Sequence, residues 1–233
     1  MRIDVLTIFT EQFDLLKSGI IGKALNEKKF EVFVHDIREY SLDKHKKCDD
    51  APFGGGAGMI MTAQPIHSAI KAVDPNHECL RIYMSPRGSI LKQDKVKTLA
   101  GKERILILCG NYEGVDQRVI NLDIDEEISV GDYILTGGEI PALVVINAVA
   151  RYIPEVLGSP LSLDEESFAD GLLEYPQYTR PRVFEGLSVP EVLLNGNHKE
   201  IVGFRREEQL KITRKNRKDL YVKYLAQKRK GLR

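Results

Sequence analysis

The stretch SVGDYILTGGE, residues 129–139, runs without a break into IPALVVINAVARYI, residues 140–153. From Ile140 to Ala150 the only polar side chain is Asn147. A helix that is apolar on every side has to be enclosed by other elements. Pro141 is tolerable in the first turn of such a helix, read here as Glu139–Tyr152. Gly131, Gly137 and Gly138 stand just before it, where a missing Cβ lets the backbone pass close to another segment.

The rest of the chain supplies what could enclose that helix. RIDVLTIF and FEVFVHDI read as strands on either side of a helix from Glu11 to Leu25. Further on, a helix Ala63–Ala72, a strand LRIYMS and a helix Leu91–Ala100 alternate. RILILCG is short, almost wholly apolar and bounded by Gly110, the pattern of a strand buried on both faces of a parallel sheet. EEISV is another short strand. This alternation predicts an α/β fold, a mostly parallel sheet covered by helices. GSPLSLDEESFADG, residues 158–171, has turn chemistry and acidity without apolar periodicity, and reads as a linker. Beyond TRPRVF the chain reads as helical to its end. The domain reading is therefore 1–157, a linker at 158–172, and a small basic helical domain at 173–233.

Charge separates the same two parts. The net charge of zero hides thirteen Lys or Arg against four Asp or Glu from Lys199 to Arg233. Residues 111–174 hold fourteen acids and two bases, Arg118 and Arg151. The tail RKNRKDLYVKYLAQKRKGLR suits a polyanion, since neutralising phosphates releases counterions, or it is a solvated helix face. The acidic centre suits a cationic small ligand or is a soluble surface. Hydrophobic residues make up 42% of the chain, yet no uninterrupted apolar run reaches membrane-spanning length. The opening MRIDVLTIFTEQFD turns acidic too early for a signal peptide. Cys48, Cys79 and Cys109 lie far apart, which points to a reduced cytoplasmic protein without disulfides.

Four loops could carry chemistry: FGGGAGM, YMSPRG, CGNYEG and VGDYILTGGE. The last three follow strands, and ligands of open α/β sheets sit beyond strand carboxyl ends. No GxxxxGK[ST] occurs and no GxGxxG opens a helix, so a P-loop nucleotidase or a dinucleotide dehydrogenase is unsupported. Each loop alone is also an ordinary turn. KHKKCDD could touch phosphate or be an exposed loop. His45, Cys48, Asp49 and Asp50 crowd adjacent positions that converge poorly, so no structural metal site is expected.

The runs LCGNYEGVDQRV, DEEISVGDYILTGGEIPALVVINAVARYIPEVLG, ESFADGLLEYPQYTRP and GNHKEI closely resemble the bacterial tRNA (guanine-N1)-methyltransferases, of the SPOUT class of S-adenosylmethionine-dependent enzymes. The likeness extends from MRIDVLTIF through APFGGGAGM to about Arg206. It implies a deep trefoil knot in the C-terminal part of the sheet domain, which general topology rules would not suggest. It implies a bent methyl donor held by Tyr83, Ser85, Pro86, Gly110, Glu113, Val130, Gly131, Asp132, Tyr133, Ile134, Leu135, Gly137 and Gly138. The implied activity is methylation at N1 of the guanosine immediately 3′ of the tRNA anticodon. The implied assembly is a homodimer whose active site joins one subunit's donor pocket to the other's C-terminal domain. Magnesium during turnover is implied too, without a dedicated site in the sequence.

The chemistry asks for two side chains. N1 of guanine carries a proton that a carboxylate can take, and negative charge then grows on O6, where an arginine can stabilise it. Arg151 is the candidate cation; its alternative role is to cap a helix end. The family's base is an aspartate immediately before Ser-Phe, and here that position holds Glu166. Asp170 is the reserve, and Glu165, Glu166 and Asp170 can also be read as solvated acids. A SPOUT enzyme acting on another base or on ribose, and a binding module without catalysis, are the competing readings.

Overall fold

The computed structural model describes residues 1–158, 163 and 165–230. The chain divides into two compact units, Met1–Gly158 and Ser159–Arg233.

In the first unit the strands are β1 (Arg2–Thr7), β2 (Glu31–Asp36), the short pair β3 (Asp49–Asp50) and β4 (Ile60–Met61), β5 (Leu80–Ile90), β6 (Arg104–Cys109) and β7 (Glu126–Ser129). The helices are α1 (Gly19–Asn26), α2 (Ala63–Val73), α3 (Gln93–Ala100), α4 (Gln117–Asp123) and α5 (Glu139–Ala150). Five strands form one parallel sheet in the order β2-β1-β6-β5-β7. β6 at its centre is buried along nearly its whole length, as its continuous apolar run predicts. Ile105, Ile107 and Cys109 face α1, α3 and α5, while Leu106 and Leu108 face α2 and α4. The two cores thus lie on opposite faces of one sheet, in accord with period-2 alternation.

Several local expectations change. The helix expected from Glu11 to Leu25 is a 3-10 stretch, Thr10–Lys17, followed by α1, because Ser18 is extended and breaks the ladder. α5 stops at Ala150, two residues short of the expected end. α4 was not expected; its seven residues are too few to show a helical period, although Asp116 caps it by accepting from the Arg118 N–H. β5 runs past LRIYMS to Ile90, because Met84 and Ser89 both stand opposite Ile128 and the residues between them loop out.

Buried charge ties down the amino ends of the strands. Arg81, on β5, pairs with Asp74 at 2.8 Å, both almost wholly enclosed. Asp4, on β1, accepts from Arg2, Arg104 and His35. Burial alone would raise the Asp4 carboxyl, but hydrogen bonds from His35, Arg2 and Arg104 outweigh it and hold the group at about 2. Asp74 lies at about 2 as well, burial again opposing and bonds from Cys79 and Arg81 prevailing. Both lie below the unfolded value, so their stabilisation is complete above about pH 4 and disappears as pH falls toward 2. Each carboxylate is expected to contribute on the order of 2 kcal/mol through this linkage. Thermal melts between pH 5 and pH 2 should show the loss, and it should shrink in Asp4→Asn and Asp74→Asn.

The second unit contains the hairpin β8 (Val183–Phe184) and β9 (Leu187–Ser188), then α6 (His198–Asn216) and α7 (Lys218–Lys230). The expectation of continuous helix beyond TRPRVF is therefore corrected at the hairpin. Its turn residues Glu185 and Gly186 both have positive φ, the two-residue geometry that matches strand twist. Of the expected linker, residues 159–162 and 164 lie outside the described residues. The part that follows is tied to α6: Leu173 N–H donates to Thr213, Arg206 pairs with Asp170, and Arg205 lies 3.5 Å from Glu165 and over the Tyr175 ring. Among the described residues no helix is long and apolar enough to cross a membrane.

Candidate active site

A cavity of about 520 Å3 opens at the loop-out of β5 and beyond the carboxyl ends of β6 and β7. Three segments build it. The loop-out of β5 contributes Ser85, Pro86 and Arg87, the turn after β6 contributes Gly110 to Val115, and residues 128–138 close the far side. Twelve of the thirteen residues expected to hold a methyl donor line it: Tyr83, Ser85, Pro86, Gly110, Glu113, Val130, Gly131, Tyr133, Ile134, Leu135, Gly137 and Gly138. Asp132 is exposed and does not line it. Asn111, Gln117 and Thr136 do, and the spacing of the loops alone does not single them out.

Two glycines explain how the segment before α5 gets there. A Cβ on Gly138 would lie 2.8 Å from Cys109 Cα, and the Gly138 N–H donates to Gly110 O at 2.8 Å. A Cβ on Gly110 would lie 2.7 Å from the Tyr83 hydroxyl. The chain leaves β7 at the sheet edge and returns past β5 to touch the end of β6, with Asn111 and Gly137 joined as an antiparallel bridge. Any side chain at residue 138 would hold the two backbones apart.

The walls mix exposed main chain with apolar side chains such as Tyr83, Val115, Ile128 and Pro141. Burial raises the Tyr83 hydroxyl, so it stays protonated and can donate. A cavity of this size suits a small-molecule ligand. Cys48, Cys79 and Cys109 are buried free thiols, and burial pushes Cys109 well above the ordinary thiol range. Among the described residues no group of three His, Cys, Asp or Glu comes together as a metal site.

The catalytic candidates are not among the residues that line the cavity. Arg151 is the C-cap of α5 and does not line the cavity. Gly138 caps the other end, and the twelve residues between them span about 18 Å. Ile140 is 52% and Val144 44% exposed, and with Asn147 and Arg151 they form one face of α5 turned away from the core. Glu166 and Asp170 belong to the second unit. Asp170 is held there, Oδ1 accepting from the Leu172 N–H and Oδ2 pairing with Arg206.

A parallel sheet covered on both faces, with its hollow beyond the strand carboxyl ends, defines an α/β ligand-binding domain. A profile of the family described as tRNA (Guanine-1)-methyltransferase TrmD matches residues 1–223. A tRNA (guanine-N(1)-)-methyltransferase of Clostridioides difficile (strain 630) is 51% identical over 227 residues, covering 96% of this chain and 98% of that protein. One from Clostridium acetobutylicum is 49% identical over 228 residues, 98% of this chain and 94% of that protein. One from Finegoldia magna is 49% identical over 232 residues, 99% of each. The chain belongs to the tRNA (guanine-1)-methyltransferase family, of the SPOUT class.

Proposed function

We propose that the protein methylates N1 of the guanosine immediately 3′ of the tRNA anticodon, with S-adenosylmethionine as donor, in the cytoplasm. Family membership supports the reaction, and the observation that carries the site is the cavity that gathers the donor-binding positions. A deep trefoil knot is proposed where residues 130–138 return to the end of β6; the Gly138–Gly110 contact supports it.

When bound, the donor supplies an electrophilic methyl group on its sulfonium. The protein's own residues do the rest. Glu166 would take the N1 proton, leaving that electron pair to form the new C–N bond while the methyl–sulfur bond breaks and its electrons stay with the departing thioether. Arg151 donates to O6 as charge grows there. Asp170, which accepts from the Leu172 N–H and pairs with Arg206, is the reserve base. Glu166→Gln is expected to lower kcat by about 10²–10⁴-fold, and Asp170→Asn far less. Full turnover by Glu166→Gln in a single-turnover assay would remove it from the role.

We infer a homodimer that brings Arg151 to the cavity. The outer face of α5 is apolar at Ile140 and Val144 and ends in Arg151. Pairing it antiparallel with its copy about a two-fold axis covers the apolar residues. The same pairing sets Arg151 of the partner subunit near Gly138, at the cavity rim. Lys199, Arg214, Lys215, Lys218 and Lys223 are exposed on α6 and α7 and suit tRNA phosphates. Magnesium, implied during turnover, is assigned no residue. The test is mass spectrometry of nucleosides from unmodified tRNA treated with enzyme and donor. 1-Methylguanosine 3′ of the anticodon is expected; methylation on ribose or on another base contradicts the assignment.

A further inference from the structure

Behind the cavity lies a buried carboxylate that the reaction does not use. Glu139, the first residue of α5, is 2% exposed and does not line the cavity. Its Oε1 accepts from the Thr7 hydroxyl at 2.6 Å and from Asn111 Nδ2 at 2.8 Å. Thr7 ends β1, is fully enclosed, and does not line the cavity. The Thr7 oxygen accepts from the Phe9 N–H at 2.9 Å, so its own proton is directed at Glu139.

Burying a charge is costly, and an aliphatic side chain in this place would avoid the cost. What the carboxylate does is sort the Asn111 carboxamide. A carboxylate only accepts, so the Asn111 NH2 must face it and the Asn111 oxygen must turn to the other side. That oxygen and Glu139 Oε2 each lie 2.5 Å from where a Gly137 Cβ would stand, so both pack against the segment bridged to Asn111. Asn111 and Gly137 both line the cavity. Thr7, Glu139 and Asn111 therefore connect the end of β1 to the rim formed by Gly137 and Gly138.

We propose that Glu139, oriented by Thr7, is a positioning residue that preforms the donor pocket by fixing Asn111 and the Gly137–Gly138 segment. The inference rests on the reading that the cavity holds the methyl donor. Preorganisation of this kind acts on affinity without touching the ligand.

The test measures S-adenosylhomocysteine binding by calorimetry, below the melting temperature of every variant. Thr7→Val keeps shape and loses the donor; binding is expected to weaken about tenfold, the scale of one hydrogen bond to a buried charge. Thr7→Ser keeps the hydroxyl and should bind within about twofold of the unaltered protein. In turnover, Thr7→Val should raise the donor KM in parallel and leave the tRNA KM and the kcat at saturating donor unchanged. Glu139→Gln still accepts but no longer sorts the carboxamide, and about fivefold weaker binding is expected. It also serves if Thr7→Val fails to fold. Unchanged affinity in either folded variant, even with a lower melting temperature, makes the cluster a packing element only and overturns the proposal. No binding by the unaltered protein overturns the donor reading of the cavity instead.

Discussion

Arg151→Ala is expected to lower kcat by about 10²–10³-fold, the scale of losing one preorganised donor to a developing oxyanion. S-adenosylhomocysteine affinity is expected to stay unchanged, because Arg151 lines none of the cavity and its proposed partner is the guanine O6, not the donor. Arg151→Lys recovers part of the loss: the charge remains, but the planar fork that can grip O6 does not. Single-turnover rates with saturating donor, together with calorimetry, separate the two effects. If the arginine only caps α5, Arg151→Ala lowers the melting temperature and leaves the rate intact.

Gly110→Val produces the opposite pattern, with donor affinity falling by about 100-fold or more. Even a single added carbon would approach the Tyr83 hydroxyl to 2.7 Å, and Tyr83 is buried and part of the cavity wall. The ring has to move into the space the ligand needs, and overpacking of this order costs roughly 3 kcal/mol. Gly110 adopts no left-handed backbone, so the chain can keep its path and a folded protein is expected. Calorimetry checks the affinity and circular dichroism the fold. Unimpaired binding would place the donor outside this cavity.

The sheet was readable because its strands are governed by burial. An unbroken apolar run such as RILILC has few places to go except the middle of a parallel sheet. The break at Ser18, the loop-out of β5 and the short helix α4 were not readable, since each depends on what packs beside it rather than on a periodic pattern. The Glu185–Gly186 turn did carry a local signal, a glycine-containing pair between Val183-Phe184 and Leu187, that the helical reading of the tail passed over. Within the site, the glycine loops stand out in the sequence because close backbone approach leaves few alternatives at Gly110 and Gly138. Asn111, Thr7 and Glu139 do not stand out. Asn111 and Glu139 lie 104 and 132 residues from Thr7, and only the return of residues 130–138 to β6 joins the three. Arg151 was noticeable as one of two cations amid acids, but its distance from the cavity follows from the length of α5, and the proposed second subunit rests on the exposed face it shares with Ile140 and Val144.

That shared site has a direct test. Arg151→Ala subunits keep a whole donor cavity and lack the arginine; Gly110→Val subunits keep the arginine and lack the cavity. Mixed dimers, assembled from two differently tagged chains and purified through both tags, are assayed for 1-methylguanosine formation. An active site built from two subunits leaves one of two sites complete, so at a donor concentration near the unaltered KM, where each parent is nearly inactive, activity should return to about half that of the unaltered dimer. Mixed dimers as inactive as both parents, or a protein that is monomeric at working concentration, would contradict it.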